Sequence, residues 1–316
     1  MVGGIISLLS MLTIGQRMTD ELLLMLQDLR LSSPDILTDA MLLISSPVFH
    51  ILVPLAIASV FLWCSERRKG AWVMMSIVSG MFFGHLLKDV IRNPRPFVTD
   101  DRLVPEERAL KGASGYSTPS GHTVDSATAY GSVIAVVKRR WVTVSMCAVI
   151  AAVMFSRLYL GVHTVFDLII GLAVAAAVMA ATYILISYSY RNDGNHLRVT
   201  VLYILSFVIA ITIWILITDD RGPIMRYGGL FLGAVIGRQV GRSCLKDDRC
   251  AHTKKGDLKR LAIGWPVTVL SFAVPLLLLG HSAGFLIGGF LCSMSLYVFA
   301  PAIFLTLESN NGQKLD

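Results

Sequence analysis

Residues 163–187 read HTVFDLIIGLAVAAAVMAATYILIS, and this stretch decides the fold. After Asp167 it contains no charged residue. A helix of about 20 apolar residues is long enough to cross the hydrocarbon core of a bilayer. The stretch therefore predicts a membrane-spanning helix whose first turn carries two polar side chains, those of His163 and Asp167.

The composition of the whole chain supports this interpretation. Hydrophobic residues make up 54% of the 316 residues and charged residues only 16%, and the mean hydropathy is +0.66. Soluble domains carry about 25% charged residues, so the composition excludes an ordinary soluble protein and a disordered one. The net charge of +7 does not indicate a nucleic-acid partner, because the basic residues fall largely in short loops between apolar runs.

Eight further apolar runs accompany the first. They lie at residues 35–63, 71–91, 120–137, 141–160, 199–217, 226–242, 261–279 and 284–305. The predicted fold class is therefore all-α: a polytopic transmembrane helix bundle with about nine spans. Before these runs, Glu21–Arg30 reads ELLLMLQDLR, which is too short to span and is typical of an interfacial helix.

Four loops between the runs are basic and fall on the same side if every run crosses once. Their basic residues are Arg67, Arg68, Lys69, Lys138, Arg139, Arg140, Arg191, Arg198, Arg242, Lys246, Arg249, Lys254, Lys255, Lys259 and Arg260. Positive loops face the cytoplasm. The opposite, outer side then receives the long segment 92–119, the 157–163 junction and the 218–225 turn. We expect a multi-pass protein of the plasma (inner) membrane.

Three polar blocks map to that outer side, and the first is K-x6-RP, which contains Lys88 and Arg95. The Asn-Pro pair before Arg95 interrupts the helix, because proline disfavours helical backbone in the preceding residue. Arg95 can then turn back toward Lys88. The alternative is a basic collar whose long side chains reach the membrane interface, and Arg92 fits that interpretation.

The second block, TPSGH at residues 118–122, opens the third run. Ser117 or Thr118 can cap a helix, and Pro119 suits the first helical position. The next backbone amides would then point outward as donors and form an anion site. These amides belong to Ser120, Gly121 and His122. The alternative is an ordinary capped helix start.

The third block is SR-x5-H-x3-D, with Arg157, His163 and Asp167. His163 and Asp167 lie one helical turn apart on the same face. A carboxylate in that position can accept the Nδ1 proton of the histidine and leave the Nε2 lone pair free for a substrate. The alternative is a structural His–Asp pair.

Taken together, the blocks K-x6-RP, PSGH and SR-x5-H-x3-D resemble the signature of the type 2 phosphatidic-acid phosphatase superfamily, which shares its active site with vanadium haloperoxidases. The resemblance covers about residues 35–187. It divides the chain into an N-terminal interfacial segment (1–34), a lipid-phosphatase core (35–190) and a C-terminal four-span membrane extension (191–316).

The resemblance implies a role for each matching residue. His163 would be the nucleophile and form a phosphohistidine, Asp167 would orient it, and His122 would protonate the leaving oxygen. The phosphate-binding residues would be Lys88, Arg95, Ser120, Gly121 and Arg157. The substrate would be a lipid phosphate or a polyprenyl diphosphate, hydrolysed at the outer face with neither a metal ion nor a cofactor.

Two other functions remain as alternatives. A lipid transporter or flippase is suggested by the four later spans, and a vanadate-dependent haloperoxidase is suggested by the shared site. Two glycine series, one from Gly229 to Gly241 and one from Gly280 to Gly288, recur every four residues. Small residues at that spacing allow close helix packing within the chain or, alternatively, in a homodimer.

Other polar residues give weaker signals. His85 is expected to pack in the bundle or beside the site, and His50 and His281 are expected at the interface. The acidic residues of the long outer loop are expected to be solvated, with a lid as the alternative: Asp100, Asp101, Glu106 and Glu107. Cys244, Cys250 and His252 share a basic loop, but their spacing fits no common zinc pattern.

Overall fold

A computed structural model describes residues 19–192, 194–245 and 254–310. Within these ranges the chain is helical and contains no strand, which confirms the all-α class. The helices in chain order are α1 (residues 19–32), α2 (Asp35–Ile44), α3 (Val53–Trp63), α4 (Arg67–Ile91), α5 (Pro96–Thr99), α6 (Glu107–Leu110), α7 (Gly121–Val137), α8 (Arg140–Tyr159), α9 (Val165–Ser189), α10 (Asn195–Ile217), α11 (Gly229–Cys244), α12 (Lys254–Met294) and α13 (Ala300–Asn310). The loop residues Lys246, Arg249, Cys250 and His252 lie outside the described residues.

Six helical segments in the described ranges are long and apolar enough to cross a membrane. They are Asp35–Trp63, Arg67–Thr99, Arg140–Tyr159, Val165–Ser189, Asn195–Ile217 and Gly256–Leu307. Helix α7 has only 17 residues, and α11 carries Arg238 and Arg242. The polytopic bundle is thus confirmed, whereas the number of about nine crossings stays a prediction.

Helix α12 is interrupted at Gly280, where φ is 75° and ψ is −175°. The second half folds back on the first, because a Cβ at Gly284 would lie 2.6 Å from the Leu276 Cα and one at Gly288 would lie 2.7 Å from the Phe272 carbonyl oxygen. Gly280 itself has no neighbouring atom within 4 Å of a Cβ. The predicted packing role of Gly280 is therefore wrong. A glycine at this position instead permits the positive φ with which the chain turns.

The glycines of α11 pack against the second half of α12 and the turn that follows. A Cβ at Gly229 or Gly233 would overlap the carbonyl oxygen of Leu286 or Phe290, and one at Gly241 would lie 2.5 Å from that of Tyr297. These glycine faces are therefore used within the chain, as the packing interpretation predicts. The homodimer stays a prediction.

Helix α4 lies at the centre of the bundle and packs against α3, α7, α9 and α11. Its side chains at Met74, Met75 and Ile77 are fully buried. At Gly80 a Cβ would lie 2.7 Å from the Thr128 side chain, so this glycine allows α7 to approach closely. The close contact between α4 and α7 fixes the relative positions of the first two polar blocks.

Helix α1 is bound to the long outer loop. The Arg30 guanidinium donates to the carbonyl oxygens of Tyr159 (3.1 Å) and Val104. The Gln27 amide donates to the Arg102 carbonyl oxygen (3.2 Å) and accepts from the Val104 N–H (2.6 Å). These contacts attach the predicted interfacial helix to the loop between α4 and α7 and to the C-terminal end of α8.

Candidate active site

All three polar blocks meet at one end of the helix bundle. The site is formed by the C-terminal ends of α4 and α8, the N-terminal ends of α7 and α9, and the loop after α4. Every predicted site residue is buried, with no side chain more than 9% exposed. These residues are Lys88, Arg95, Ser120, Gly121, His122, Arg157, His163 and Asp167.

His163 lies in the connection before α9, beside the carboxylate of Asp167. The Nδ1 atom is 3.5 Å from Asp167 Oδ2, and Ser117 bridges the two, with its Oγ 3.4 Å from Nδ1 and donating to Oδ2 at 2.6 Å. Because Nδ1 faces these acceptors, the lone pair of a neutral ring lies on Nε2.

Asp167 is held by the local structure of the helix start. Its Oδ2 accepts from the Thr164 N–H (2.7 Å), and its own N–H donates to Thr164 Oγ1 (3.2 Å), which together form a capping box. The Thr118 hydroxyl donates to Oδ1 and in turn accepts from Asn93 Nδ2 (2.8 Å). The carboxylate therefore has little freedom to move away from His163.

The predicted start of α7 is wrong. The helix begins at Gly121 with Ser120 as its N-cap residue, so Pro119 lies outside it. Ser117 and Thr118 do not cap α7, because their hydroxyls are bonded to Asp167. The N–H of Ser120 also donates to the Asp167 carbonyl oxygen (3.0 Å), so that amide is not a free anion donor. The amides of the first helical turn, beginning with Gly121, have no partner within the helix.

Arg95 turns back into the site, as the break after α4 predicts. Its guanidinium donates to three carbonyl oxygens: those of Ser114 (3.1 Å), Gly115 (3.1 Å) and Val162 (2.8 Å). Its Nη1 lies 3.2 Å from His163 Nε2. The arginine is thus fixed next to the nitrogen that would attack a phosphorus atom.

Arg92 points elsewhere. It ends α4 in a left-handed conformation with φ of 56°, and its guanidinium donates to the carbonyl oxygens of Asp89 (3.1 Å) and Ile217. The structure therefore separates Arg92 from the site, and the collar interpretation for this residue stays a prediction.

Arg157 and Ser120 carry buried donors without a protein acceptor. Arg157 is 1% exposed, and its Nε and Nη2 have no hydrogen-bond partner in the described part of the chain. The Oγ of Ser120 is likewise buried and unpaired there. A buried unsatisfied polar group costs about 1–3 kcal/mol, and a charged one costs more. An anion with several oxygens would satisfy these groups.

His122 lies on the first turn of α7 and contacts residues that the sequence did not assign to a site. Its Nε2 is 3.1 Å from the Ser45 carbonyl oxygen, which can only accept, so this nitrogen carries a hydrogen. The Ser45 hydroxyl lies 2.7 Å from that of Ser156. The ring of His50 is 4.3 Å from that of His122. His50 is 8% exposed, so the expectation of an interfacial histidine is wrong for this residue.

Two further polar side chains, those of His85 and Asp125, interact electrostatically with Lys88. His85 stacks on Tyr227 with ring centroids 4.1 Å apart. Asp125 lies one turn after His122, is 2% exposed and interacts electrostatically with Lys88. Sequence reasoning missed Asp125, although a lone carboxylate inside an apolar run is itself a signal of function.

The electrostatics of the site favour a neutral His163 and a bound anion. His163 lies in the connection outside the spanning helices, and burial lowers its pKa well below the usual range, against the opposing effect of Asp167. The cations Lys88, Arg95 and Arg157 all act on His163 electrostatically. The site thus combines a neutral nucleophile with a positive field.

A cavity of about 710 Å³ begins at this site. Its polar end is lined by Lys88, Gly121 and His122. At Gly121 a Cβ would lie 3.3 Å from the His85 ring and 3.5 Å from Lys88 Cε. The absence of a side chain there allows the Lys88 side chain to pass close to the start of α7.

Comparison with known proteins finds one matching family model and several curated relatives. The family model described as PAP2 superfamily matches residues 69–191. Lipid phosphate phosphatase delta of Arabidopsis thaliana is 26% identical over 147 residues, which cover 43% of this chain and 34% of that protein. Sphingosine-1-phosphate phosphatase 2 is 30% identical in Mus musculus over 126 residues, covering 38% of this chain and 33% of the relative. The human protein of that name is 28% identical over 127 residues, covering 38% and 30%.

These matches span about one third of the length of each relative. No solved structure is significantly similar to the chain. The family model therefore covers the segment that carries the three polar blocks and ends before the C-terminal helices.

Proposed function

Because residues 69–191 match the family model described as PAP2 superfamily, we propose that this protein is an integral membrane phosphatase that removes the terminal phosphate from a lipid phosphate or lipid diphosphate. The observation that carries the proposal is the pair of buried, unpaired guanidinium donors of Arg157 beside a neutral His163. Phosphoryl transfer depends chiefly on positioning and on neutralising the charge of the phosphoryl oxygens. Lys88, Arg95 and Arg157 supply three such cations.

In the first step, the Nε2 lone pair of His163 forms a bond to phosphorus while the bond from phosphorus to the lipid oxygen breaks. The electron pair of the broken bond stays on the lipid oxygen, which takes a proton from His122. Since Nε2 of His122 donates to the Ser45 carbonyl oxygen, we assign the transferred proton to Nδ1 of the protonated ring. Asp167 and Ser117 hold the proton on His163 Nδ1 throughout.

In the second step, His122 takes a proton from water, and the water oxygen attacks the phosphorus of the phosphohistidine. The N–P bond breaks, its electron pair returns to His163 Nε2, and inorganic phosphate leaves. The sum of the two steps is hydrolysis of one phosphoric ester bond, with both histidines restored. Arg95, which lies 3.2 Å from Nε2 in the free site, turns its donor to a phosphoryl oxygen when substrate is bound.

Phosphate release from a panel of lipid phosphates, measured with the purified protein in excess chelator, tests the function and its metal independence. We expect activity to persist in chelator, because the arginine and lysine side chains provide the positive charge that a divalent ion provides elsewhere. Vanadate should inhibit, since it mimics the five-coordinate phosphorus of the transition state. Activity that disappears with chelator and returns with Mg²⁺ would contradict the metal-independent mechanism, and no release from any lipid phosphate would contradict the function.

We also propose that the site faces the non-cytoplasmic side. The basic residue Arg67 begins α4 and Arg139 precedes α8, whereas the site lies at the opposite ends of these helices. In a background without native cysteines, Glu107→Cys should react with an impermeant thiol reagent added to intact cells, because Glu107 is exposed in the outer loop. Arg139→Cys is the matched control at an exposed position on the opposite side, and it should react only after permeabilisation. The reverse pattern would overturn the orientation.

A further inference from the structure

The cavity that begins at the phosphate-binding residues continues into the C-terminal helices, which carry none of the three motifs. Its lining combines the polar side chains of Lys88, His122 and Asp125 with aromatic and aliphatic side chains. The aromatic and aliphatic residues include Tyr227, Leu230, Trp265, Phe272, Phe285 and Leu296. A cavity lined both by a lysine and by many apolar side chains matches an amphiphile.

One face of the first half of α12 forms the long wall. Trp265, Thr268, Phe272 and Ala273 line the cavity, and their spacing of three, four and one residues places them on one side of a helix. From Trp265 to Ala273 this wall extends about 12 Å at the helical rise of about 1.5 Å per residue. The first half of α12 ends at Gly280, on the side of the proposed outer face. Trp265 therefore lies farther from that face than Ala273 does.

The opposite wall is held in place by contacts that keep the cavity from collapsing. The rings of Phe272 and Phe285 lie 5.9 Å apart across the two halves of α12. The Trp63 indole donates to the Leu296 carbonyl oxygen (2.9 Å), and Thr268 Oγ1 lies 3.0 Å from Ser295 Oγ. An apolar ligand in this cavity would make dispersion contacts with these side chains.

We infer that the C-terminal extension builds a binding site for one hydrocarbon chain of the lipid substrate, so that its helices determine which chain length the phosphatase accepts. The inference rests on the proposed function, since it takes the phosphate of the same molecule to lie among Lys88, His122 and Arg157. The volume of about 710 Å³ falls within the range of about 300–1,000 Å³ that encloses a single small ligand. The chamber is therefore assigned to a single chain.

A chain-length series tests this assignment with the full-length protein. Alkyl phosphates from butyl to hexadecyl are presented in mixed micelles at constant mole fraction, and kcat/KM is measured for each. Each methylene buried in the chamber should raise kcat/KM, but by less than the factor of about four that corresponds to about 0.8 kcal/mol for transfer from water, because the chain leaves the hydrocarbon of a micelle and gains mainly closer packing. The increase should stop where the chain reaches the Trp265 end of the chamber.

Ala273→Phe places a ring in the middle of the long wall. It should lower the ratio of kcat/KM for hexadecyl phosphate to that for butyl phosphate by at least tenfold. Val274→Phe is the matched control, because Val274 is the next residue on the same helix and its side chain is 44% exposed on the surface of the bundle. For this variant the ratio of kcat/KM for hexadecyl phosphate to that for butyl phosphate should equal the wild-type ratio. If Ala273→Phe does not fold, Ala273→Leu makes the same test with a smaller side chain.

Two results would count against different claims. A wild-type enzyme that hydrolyses butyl and hexadecyl phosphate equally well, or an Ala273 variant whose ratio is unchanged, would overturn the chain site and leave the phosphatase standing. A wild-type protein that hydrolyses no member of the series or of the lipid panel would instead overturn the proposed function.

Discussion

Replacing His163 with alanine is expected to reduce phosphate release to background. The loss should exceed the ~10²–10⁴-fold effect of removing acid–base assistance alone, because no other side chain at this position can form the covalent intermediate. His163 has the properties that a nucleophile needs: a neutral ring, an Nδ1 held by Ser117 and Asp167, and an Nε2 beside Arg95.

The intermediate itself gives a second measurement. Rapid quenching of the wild-type enzyme with labelled lipid phosphate should trap a phosphoryl group that is stable to base and labile to acid, as a phosphohistidine is. His163→Ala should trap none, although its elution profile should match that of the wild type. Asp167→Asn should still form the adduct but more slowly, since Asp167 only positions His163. Substantial turnover by His163→Ala would show that another group attacks phosphorus.

The sequence predicted which residues would meet at the site because each block has a local geometry that the chain enforces. The Asn-Pro pair after α4 predicts that Arg95 turns back toward Lys88. In the structure Arg95 interacts electrostatically with Lys88, and its Nη1 lies 3.2 Å from His163 Nε2. The prediction that His163 and Asp167 share the first turn of a helix is wrong for His163, because α9 begins at Val165 with Thr164 as its N-cap residue. The short spacing nevertheless brings Nδ1 of His163 to 3.5 Å from Asp167 Oδ2. The assignment of these residues as catalytic or phosphate-binding stays a prediction.

The sequence did not predict the contacts that depend on distant parts of the chain. The hydroxyls of Ser117 and Thr118 precede a proline, and from the sequence they could either cap a helix or bond to a carboxylate. Their bonds to Asp167 arise only because α7 packs against α9. His50 lay in an apolar run with no neighbouring motif, so nothing local placed it against His122. The cavity depends on the turn at Gly280, whose spacing resembled that of a packing glycine.

Replacing His122 with alanine is expected to separate substrates by the basicity of their leaving group. An alkoxide that leaves from a lipid monophosphate is strongly basic and needs a proton in the transition state. A nitrophenolate needs much less help, and so does the phosphate monoester that leaves from a diphosphate. If His122 is the general acid, its loss should lower kcat/KM for a lipid monophosphate by ~10²–10⁴-fold, the usual size of such assistance, and should affect p-nitrophenyl phosphate far less.

The comparison is made as a ratio of kcat/KM values, which isolates the transition state. His163→Ala serves as the control, because every substrate reacts with the nucleophile. The kcat/KM values for the lipid monophosphate and for p-nitrophenyl phosphate should therefore fall by the same factor in this variant. His50→Ala should reproduce part of the His122 effect, since the two rings pack 4.3 Å apart and His50 can only position its neighbour. Equal losses on both substrates for His122→Ala would remove the general-acid role and leave His122, buried beside Lys88 and Arg157, as a residue that only binds the phosphate.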